Sequence, residues 1–244
     1  MKKILLLIIT VLTLHASDDF EDGFADEFEE ELTQRKEIFD PLVGYNRWMT
    51  DVNDFLFIEA IEPTARGYNY ILPEGARKSV YNFFENISYP ASLANNLLQL
   101  KMKHSMNETI RFLTNSTIGI LGLFDVADEW FEIKAHKEDF GQTLGFYGVG
   151  GGFPVVLPFF GQRNLRDLVG NYVDTFADPT YHASLRIKND VVSFGTYTFI
   201  KAYKDFNEYS LNAGSYTEFT KDAIDLYPLI LDAYEQSRDN LIKE

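Results

Sequence analysis

The sequence predicts an all-α fold. Large apolar residues recur at helical spacing in six or seven stretches, Asp, Asn, Ser and Pro punctuate their ends, and no segment shows sustained strand alternation. From Tyr45 the apolar positions continue through Trp48, Met49, Val52, Phe55 and Leu56, one face of a helix that runs to Pro63 and is entered at Asp40-Pro41. Glu74 to Ile87 is a second helix, with Val80, Phe83 and Phe84 on one side. Pro90 opens a third, through Leu93, Leu97, Leu98 and Leu100. Ser105 and Glu108 have the spacing of a capping box, and Met106, Ile110, Leu113 and Thr117 repeat behind it. The cleanest stripe is Leu165, Leu168, Val169, Tyr172, Val173 and Phe176, set between an Asn164 cap and an Asp178-Pro179 stop. Two further helices cover about 190–210 and 217–242, the second kinked or split by Pro228.

The chain has 244 residues, 45% hydrophobic and 24% charged, which suits one sizeable domain or at most two small ones. With 22 Lys+Arg against 37 Asp+Glu the net charge is -15, which argues against a nucleic-acid partner, since phosphate backbones are bound by basic surfaces. Cys is absent, and with it disulfides, thiolate metal sites, cysteine nucleophiles and thioether lipid attachment. Lys2 and Lys3 precede an apolar run from Ile4 to Leu14, followed by His15-Ala16-Ser17, the pattern of a secretory signal peptide over 1–16. Such a run rises about 16 Å as a helix, short of a hydrocarbon core of about 30 Å. Residues 17–38 read as an acidic, disordered linker, with nine carboxylates between Asp18 and Glu31 whose repulsion keeps it extended. The alternative is a tail that binds a basic patch or keeps this end off an anionic membrane, and the interleaved Phe20, Phe24 and Phe28 leave it open. A single helical domain then occupies 39–244.

One stretch breaks the helical pattern. From Phe140 to Gly161 the chain reads FGQTLGFYGVGGGFPVVLPFFG. Its glycines run into a proline-bracketed apolar segment that cannot start a helix, and no Lys-Ser or Lys-Thr follows, so neither a dinucleotide fingerprint nor a P-loop is present. Two readings stand: a tight irregular core connection that uses glycine's backbone freedom, or an apolar loop that faces something greasy. Catalytic constellations are thin. His104, His136 and His182 stand apart, at no metal-ligand spacing, and read as structural or surface residues; there is no HExxH and no GxSxG. Arg111 and Arg166 could each grip a phosphate, although Arg166 beside Asp167 at a helix start reads first as a local ion pair. No catalytic residue, metal site or cofactor is expected. Aromatic residues make up 15% of the chain, which fits either an aromatic core or amphipathic helices lying in a membrane interface around an apolar path.

At this point several blocks together resemble the MlaA (VacJ) family. They are Asp40-Pro41-Leu42-Val43-Gly44-Tyr45-Asn46-Arg47-Trp48-Met49, Asn86-Ile87-Ser88-Tyr89-Pro90 with Asn95, and Arg111-Phe112-Leu113-Thr114-Asn115 through Gly119. They continue with Gly122-Leu123-Phe124-Asp125, Phe140-Gly141-Gln142-Thr143-Leu144-Gly145 through Gly148 and Gly150, Leu157-Pro158-Phe159-Phe160-Gly161, and Leu165-Arg166-Asp167. Their order over 40–170, with a weaker echo from Tyr227-Pro228 to Tyr234, makes the signal stronger than any one block.

The resemblance implies a ring-like, all-helical component of the periplasmic leaflet of the Gram-negative outer membrane. It implies an amphipathic channel that takes phospholipids mislocalised in the outer leaflet and hands them to a periplasmic carrier, beside a trimeric porin. On that basis the channel wall or membrane-facing surface is expected at Phe146, Tyr147, Val149, Gly150, Gly151, Phe153, Val155, Val156, Leu157, Phe159 and Phe160. Structural roles are expected for the motif residues Asp40, Pro41, Gly44, Asn46, Arg47, Asn86, Pro90, Asn95, Arg111, Asn115, Gly119, Asp125, Gly141, Gly145, Gly148, Arg166 and Asp167. Family members are usually anchored through a Cys just after the signal, and this sequence contains none. Alternatives are a porin-associated scaffold without lipid transfer, a soluble periplasmic lipid-binding protein, or a soluble periplasmic enzyme.

Overall fold

A computed structural model describes residues 38–186 and 190–244. The expected signal peptide, and the acidic linker but for Ile38, lie outside the described residues. Helix α1 (Val43–Leu56) follows Asp40-Pro41 as the sequence predicts, with the Asp40 carboxylate accepting the Leu42 N–H at 2.8 Å. It does not stop at Pro63. A π turn over Phe57–Ile61 leads straight into α2 (Glu62–Ile71), and Pro63 sits in the first turn of that helix. Proline lacks an N–H and its ring crowds the carbonyl four residues back, and the wider π turn makes room there. Helix α3 (Glu74–Ile87) has its predicted bounds, and α4 (Tyr89–Leu98) carries Pro90 in its first turn.

Helix α5 (Met102–Thr117) begins earlier than the Ser105–Glu108 spacing implies. Ser105 Oγ donates to the Lys101 carbonyl at 3.1 Å and Glu108 accepts the His136 N–H at 2.6 Å, so both are buried contacts inside the helix and not a cap. Helices α6 (Val126–Phe131) and α7 (Phe140–Phe146) escape a periodicity reading because neither completes two turns. Their caps are legible, Asp125 accepting from the Asp128 N–H and Asp139 from the Gln142 N–H.

The segment after α7 corrects the expectation of a wholly irregular connection. Strands β1 (Pro154–Leu157) and β2 (Gly161–Asn164) pair antiparallel, Pro154 opposite Asn164 and Leu157 opposite Gly161. A two-stranded ribbon is marginal by itself. Here α1 completes its open edge with carboxamides. Asn46 Nδ2 donates to the Pro154 carbonyl at 3.0 Å while its Oδ1 accepts the Val156 N–H at 2.9 Å. Two turns later Asn53 repeats the arrangement with the Leu157 carbonyl and the Phe159 N–H, each at 2.9 Å.

Helix α8 (Leu165–Thr175) is capped by Asn164 as predicted, its Oδ1 accepting the Asp167 N–H at 2.9 Å. Asp178-Pro179 ends that segment and also caps a new short helix, α9 (Pro179–Ser184). Helix α10 (Asp190–Leu211) follows, and the break expected near Pro228 is a split into α11 (Ser215–Thr220) and α12 (Leu226–Lys243). Helices α7 and α8 approach closely at two glycines, since a Cβ on Gly170 would stand 2.4 Å from the Gly141 nitrogen.

What fills the interior is unusual. Among the described residues eight apolar side chains, Pro154 included, are buried against twenty-three polar or charged ones, and Asn46, Asn96, Gln99, Asn164 and Asn207 are among the most completely enclosed. Buried polar groups are tolerable only when bonded, so this framework must be largely self-satisfied to stand. Replacing Asn46 with Ala should cost about 3 kcal/mol, because the Pro154 carbonyl and Val156 N–H lose their shared partner. Gly170→Ala should cost about 2 kcal/mol by wedging α7 from α8. Thermal unfolding in mild detergent, against the parent protein, measures both.

Candidate functional site

The apolar stripes read from the sequence face away from the interior. On α5, Met102, Met106, Ile110 and Leu113 are exposed while Ser105, Glu108 and Asn115 are buried. On α8, Leu165, Val169, Tyr172 and Val173 are exposed while Arg166 and Asp167 are buried. On α1, Val43, Tyr45, Trp48 and Phe55 are exposed while Met49 of the predicted stripe turns inward with the buried Asn46, Thr50 and Asn53. Trp48 at 59% and Tyr172 at 67% show how open these faces are. Apolar surface left in water costs about 25 cal/mol per Å², and faces of this kind mark contact with membrane or partner.

The turn after α5 repeats the theme. Ile118, Ile120 and Leu121 are exposed, and the backbone N–H groups of Gly119, Leu121, Gly122, Leu123 and Phe124 all donate to nearby carbonyls. Ile120 and Leu121 adopt positive φ, 52° and 58°, to make that closure. The result is an apolar tip with most of its backbone donors satisfied, as an apolar medium favours. Among the described residues no helix is long and apolar enough to cross a membrane.

Inside, ion pairs and amides brace the helices. Arg238 of α12 donates twice to Asp139, at 2.7 and 2.8 Å, and once to Asp167 at 2.9 Å. Tyr234 donates to Asp167 at 2.5 Å, and Arg166 Nε to the same carboxylate at 3.1 Å. The local Arg166–Asp167 pair expected from the sequence is therefore present, and also shared with a helix about seventy residues later. Burial alone would raise the Asp139 carboxyl, but the Arg238 guanidinium overcomes it and holds the group below the usual carboxylate range. A second cluster joins Arg111 to Asp125 at 2.7 Å and to the Ile133 carbonyl, while Asn115 donates to Asp125 at 2.9 Å. Asn95 ties α4 to Asp174 of α8 at 2.9 Å and accepts the Thr143 hydroxyl at 2.9 Å.

Between α3, α4, α5, α8, α10 and the connection before α7 lies a cavity of about 580 Å³. Its wall is amphipathic. Phe84, Ile87, Tyr89, Phe112 and Ile200 supply apolar surface, with Tyr89 and Phe112 stacked at 4.4 Å. Glu85, Lys137 and Lys204 supply charge: Glu85 pairs with Lys204 at 3.2 Å and with Lys137, which also donates to the Tyr81 hydroxyl at 2.8 Å. Burial would raise Glu85, yet the two lysines hold it below the ordinary value. For Lys137 burial is outweighed by Glu85, and its ammonium is pushed up to about 12. Burial raises the carboxyls of Glu108, Asp174 and Asp205. A wall of this kind can hold a molecule with a charged end and an apolar body.

None of the expected residues from Phe146 to Phe160 lines this cavity. Phe146, Tyr147, Val149, Gly150 and Phe159 are exposed, Val156 is buried, and Gly151, Phe153, Val155, Leu157 and Phe160 are half-buried. A smaller apolar recess of about 160 Å³ includes Val156, Phe159 and Phe160 with Phe57 and Tyr216. Of the motif residues, Asn86, Arg111, Asn115 and Asp125 reach the large cavity. Asp40 and Arg47 instead clasp α12, Asp40 through the Tyr227 hydroxyl and Arg47 through Asp225 just before the helix at 2.6 Å. Gly119, Gly141 and Gly145 are close approaches, and Gly44, Gly148 and Gly150 have open space where a Cβ would be.

The cavity's Glu85, Lys137, Asp174 and Lys204 give no sequence signal, because they come from elements far apart in the chain. Lys201 and Asp205 could have been found, since their i, i+4 spacing puts them on one side of α10. His104 and His136, which read as isolated, stack face to face at 3.8 Å. Burial, and then the neighbouring His136, pull His104 below its ordinary value.

A family model described as MlaA lipoprotein matches residues 38–241. The intermembrane phospholipid transport system lipoprotein MlaA of Escherichia coli (strain K12) is 37% identical over 142 residues, 56% of each chain. An uncharacterized protein of Rickettsia felis is 36% identical over 141 residues, 58% of this chain and 56% of that one. This chain therefore aligns with little more than half the length of either relative. An uncharacterized protein of Rickettsia bellii is 28% identical over 245 residues, 98% of this chain and 92% of the relative. A solved structure from work on the structural basis for maintenance of bacterial outer membrane lipid asymmetry superposes with a TM-score of 0.66 at 30% identity, covering 84% of this chain and 99% of that one.

Arg238→Met should destabilise the fold by about 3 kcal/mol, since it strands the carboxylates of Asp139 and Asp167. Because the Asp139 carboxyl is depressed in the folded state, its contribution is present above its unfolded value and lost as pH falls through the folded one. The gap between variant and parent should therefore narrow below about pH 4, as followed by unfolding midpoints across a pH series.

Proposed function

The chain belongs to the MlaA lipoprotein family, and from that membership we propose that it removes phospholipids mislocalised in the outer leaflet of the outer membrane. The observation that carries the reading is the inverted distribution of polarity: apolar helix faces outside, a bonded polar framework inside, and an amphipathic cavity within that framework. The outer faces of α1, α5 and α8 rest in the periplasmic leaflet, which offers the apolar surroundings that water does not. A lipid headgroup passes along the charged side of the cavity, with its acyl chains against Phe84, Ile87, Tyr89 and Phe112.

No covalent step is involved. Direction is set downstream, by a periplasmic carrier that takes the lipid away, and a trimeric porin shares the exposed apolar surface. The exposed residues of the segment from Phe146 to Phe160 are membrane-facing surface in this reading, Phe159 against the lipid and Tyr147 at the water–lipid boundary where its amphipathic ring is favoured.

Two experiments test this. In a strain lacking its own family member, the full chain should restore the outer-membrane barrier and recover bound phospholipid from membranes solubilised in mild detergent. Recovery in the soluble periplasm without lipid would overturn the proposal, and membrane recovery without lipid would leave a scaffold. Charging the outer face by the pair Trp48→Glu and Leu113→Glu should move most of the protein out of the membrane fraction. Gly150→Val, with open space at its Cβ, should complement like the parent.

A further inference from the structure

The cavity wall holds four basic side chains, and three are committed. Arg111 is bonded to Asp125 and the Ile133 carbonyl, Lys137 to Glu85 and Tyr81, and Lys204 to Glu85 and Ser88. Lys201 has no hydrogen bond or ion pair among the described residues, and the carboxylates acting on it are Asp174 and Asp205.

The carboxylates divide in the same way. Glu85, Asp125, Asp128, Glu138 and Asp139 are each in an ion pair, Glu108 and Asp174 accept backbone N–H groups, and Asp178 accepts from Thr180. Asp205 has neither hydrogen bond nor ion pair among the described residues, and stands open to the water of the cavity.

The one uncommitted cation and the one uncommitted anion of this wall thus lie at i and i+4 of α10, neighbours one helical turn apart, about 6 Å between Cβ atoms. They are fixed on a rigid element and line the same cavity, and although Lys201, Lys204 and Arg163 all act on Asp205 through space, no ion pair joins Lys201 to Asp205. A wall that offers a free ammonium and a free carboxylate side by side complements a ligand carrying the opposite charges side by side. A headgroup in which a phosphate and a primary ammonium are joined by a short ethylene bridge has that pattern. A purely anionic headgroup has nothing to offer Asp205 and meets repulsion there.

We propose that Lys201 and Asp205 form a headgroup-reading pair that selects zwitterionic phospholipids of the phosphatidylethanolamine type over anionic ones, Lys201 taking the phosphate and Asp205 the ammonium. The inference rests on the reading of the cavity as a phospholipid path and adds to it which headgroup that path prefers. Charge-assisted hydrogen bonds supply the discrimination. Neither side chain holds the fold together, so both can be changed without dismantling it.

The test uses the full chain, purified from Gram-negative membranes in mild detergent, with bound phosphatidylethanolamine and phosphatidylglycerol quantified by mass spectrometry against the same membranes. The parent should be enriched in phosphatidylethanolamine by about tenfold, the factor carried by one charge-assisted hydrogen bond. Asp205→Asn and Asp205→Ser should return the ratio to that of the membrane, and Lys201→Gln should lower recovery of both lipids. The exchanged pair, Lys201→Asp with Asp205→Lys, should regain the enrichment, an outcome that a merely structural role would not produce. Bound lipid in the membrane's own ratio, in parent and variants alike, overturns the pair and leaves the lipid path standing. A parent that holds no lipid overturns the path itself and this inference with it.

Discussion

The structure depends on satisfying polar groups where most folds bury hydrocarbon. Asn46, Asn95, Asn164 and the Asp139–Arg238–Asp167 cluster each join elements that are far apart in the chain, and each does so by hydrogen bonds that close on a specific partner. Dispersion between aliphatic side chains is non-directional and tolerates repacking. Amides and guanidinium–carboxylate forks do not, so the helices are held at defined positions even though little apolar surface is available between them.

That constraint frees the apolar residues for the outside. An apolar medium removes the cost of exposing Trp48, Leu113 or Tyr172, and in the function proposed above the same side chains that would form a core in water serve as the contact with the membrane. In exchange it favours backbone closed on itself, and in the apolar turn at Ile118 to Phe124 all N–H groups but that of Ile120 donate to nearby carbonyls, with two residues at positive φ. The polar framework also leaves room inside it. Its unfilled part is the amphipathic cavity, whose charges are mostly spent on one another and whose remaining pair on α10 is free to act on a ligand.

The Gly-rich segment shows why a sequence can flag a region and still mislead about it. Its glycines and prolines excluded a nucleotide loop, and its aromatic residues pointed to apolar surroundings. Yet two of its stretches are strands, because Asn46 and Asn53 of α1 supply the edge bonds that a lone ribbon lacks. The large cavity lies elsewhere, walled by α3, α5 and α10. Similarly Ser105 and Glu108 have the spacing of a cap and act instead as buried links, Glu108 to the backbone before α7.

Composition and periodicity determined the helical class, the bounds of α3, the Asn164 cap and the break near Pro228, since each depends on residues close together in sequence, and the ordered motif blocks carried the resemblance to the family. They could not say which way a stripe faces. A helix with one apolar and one polar side reads the same whether its apolar side meets a core or a lipid, and only the packing of α1, α5 and α8 around Asn, Arg and Asp decided that it faces outward. The cavity, the stacked His104 and His136, and the sharing of Asp167 between Arg166 and Arg238 belong to the tertiary structure for the same reason. Each requires side chains separated by tens of residues to meet, and no local spacing records such a meeting.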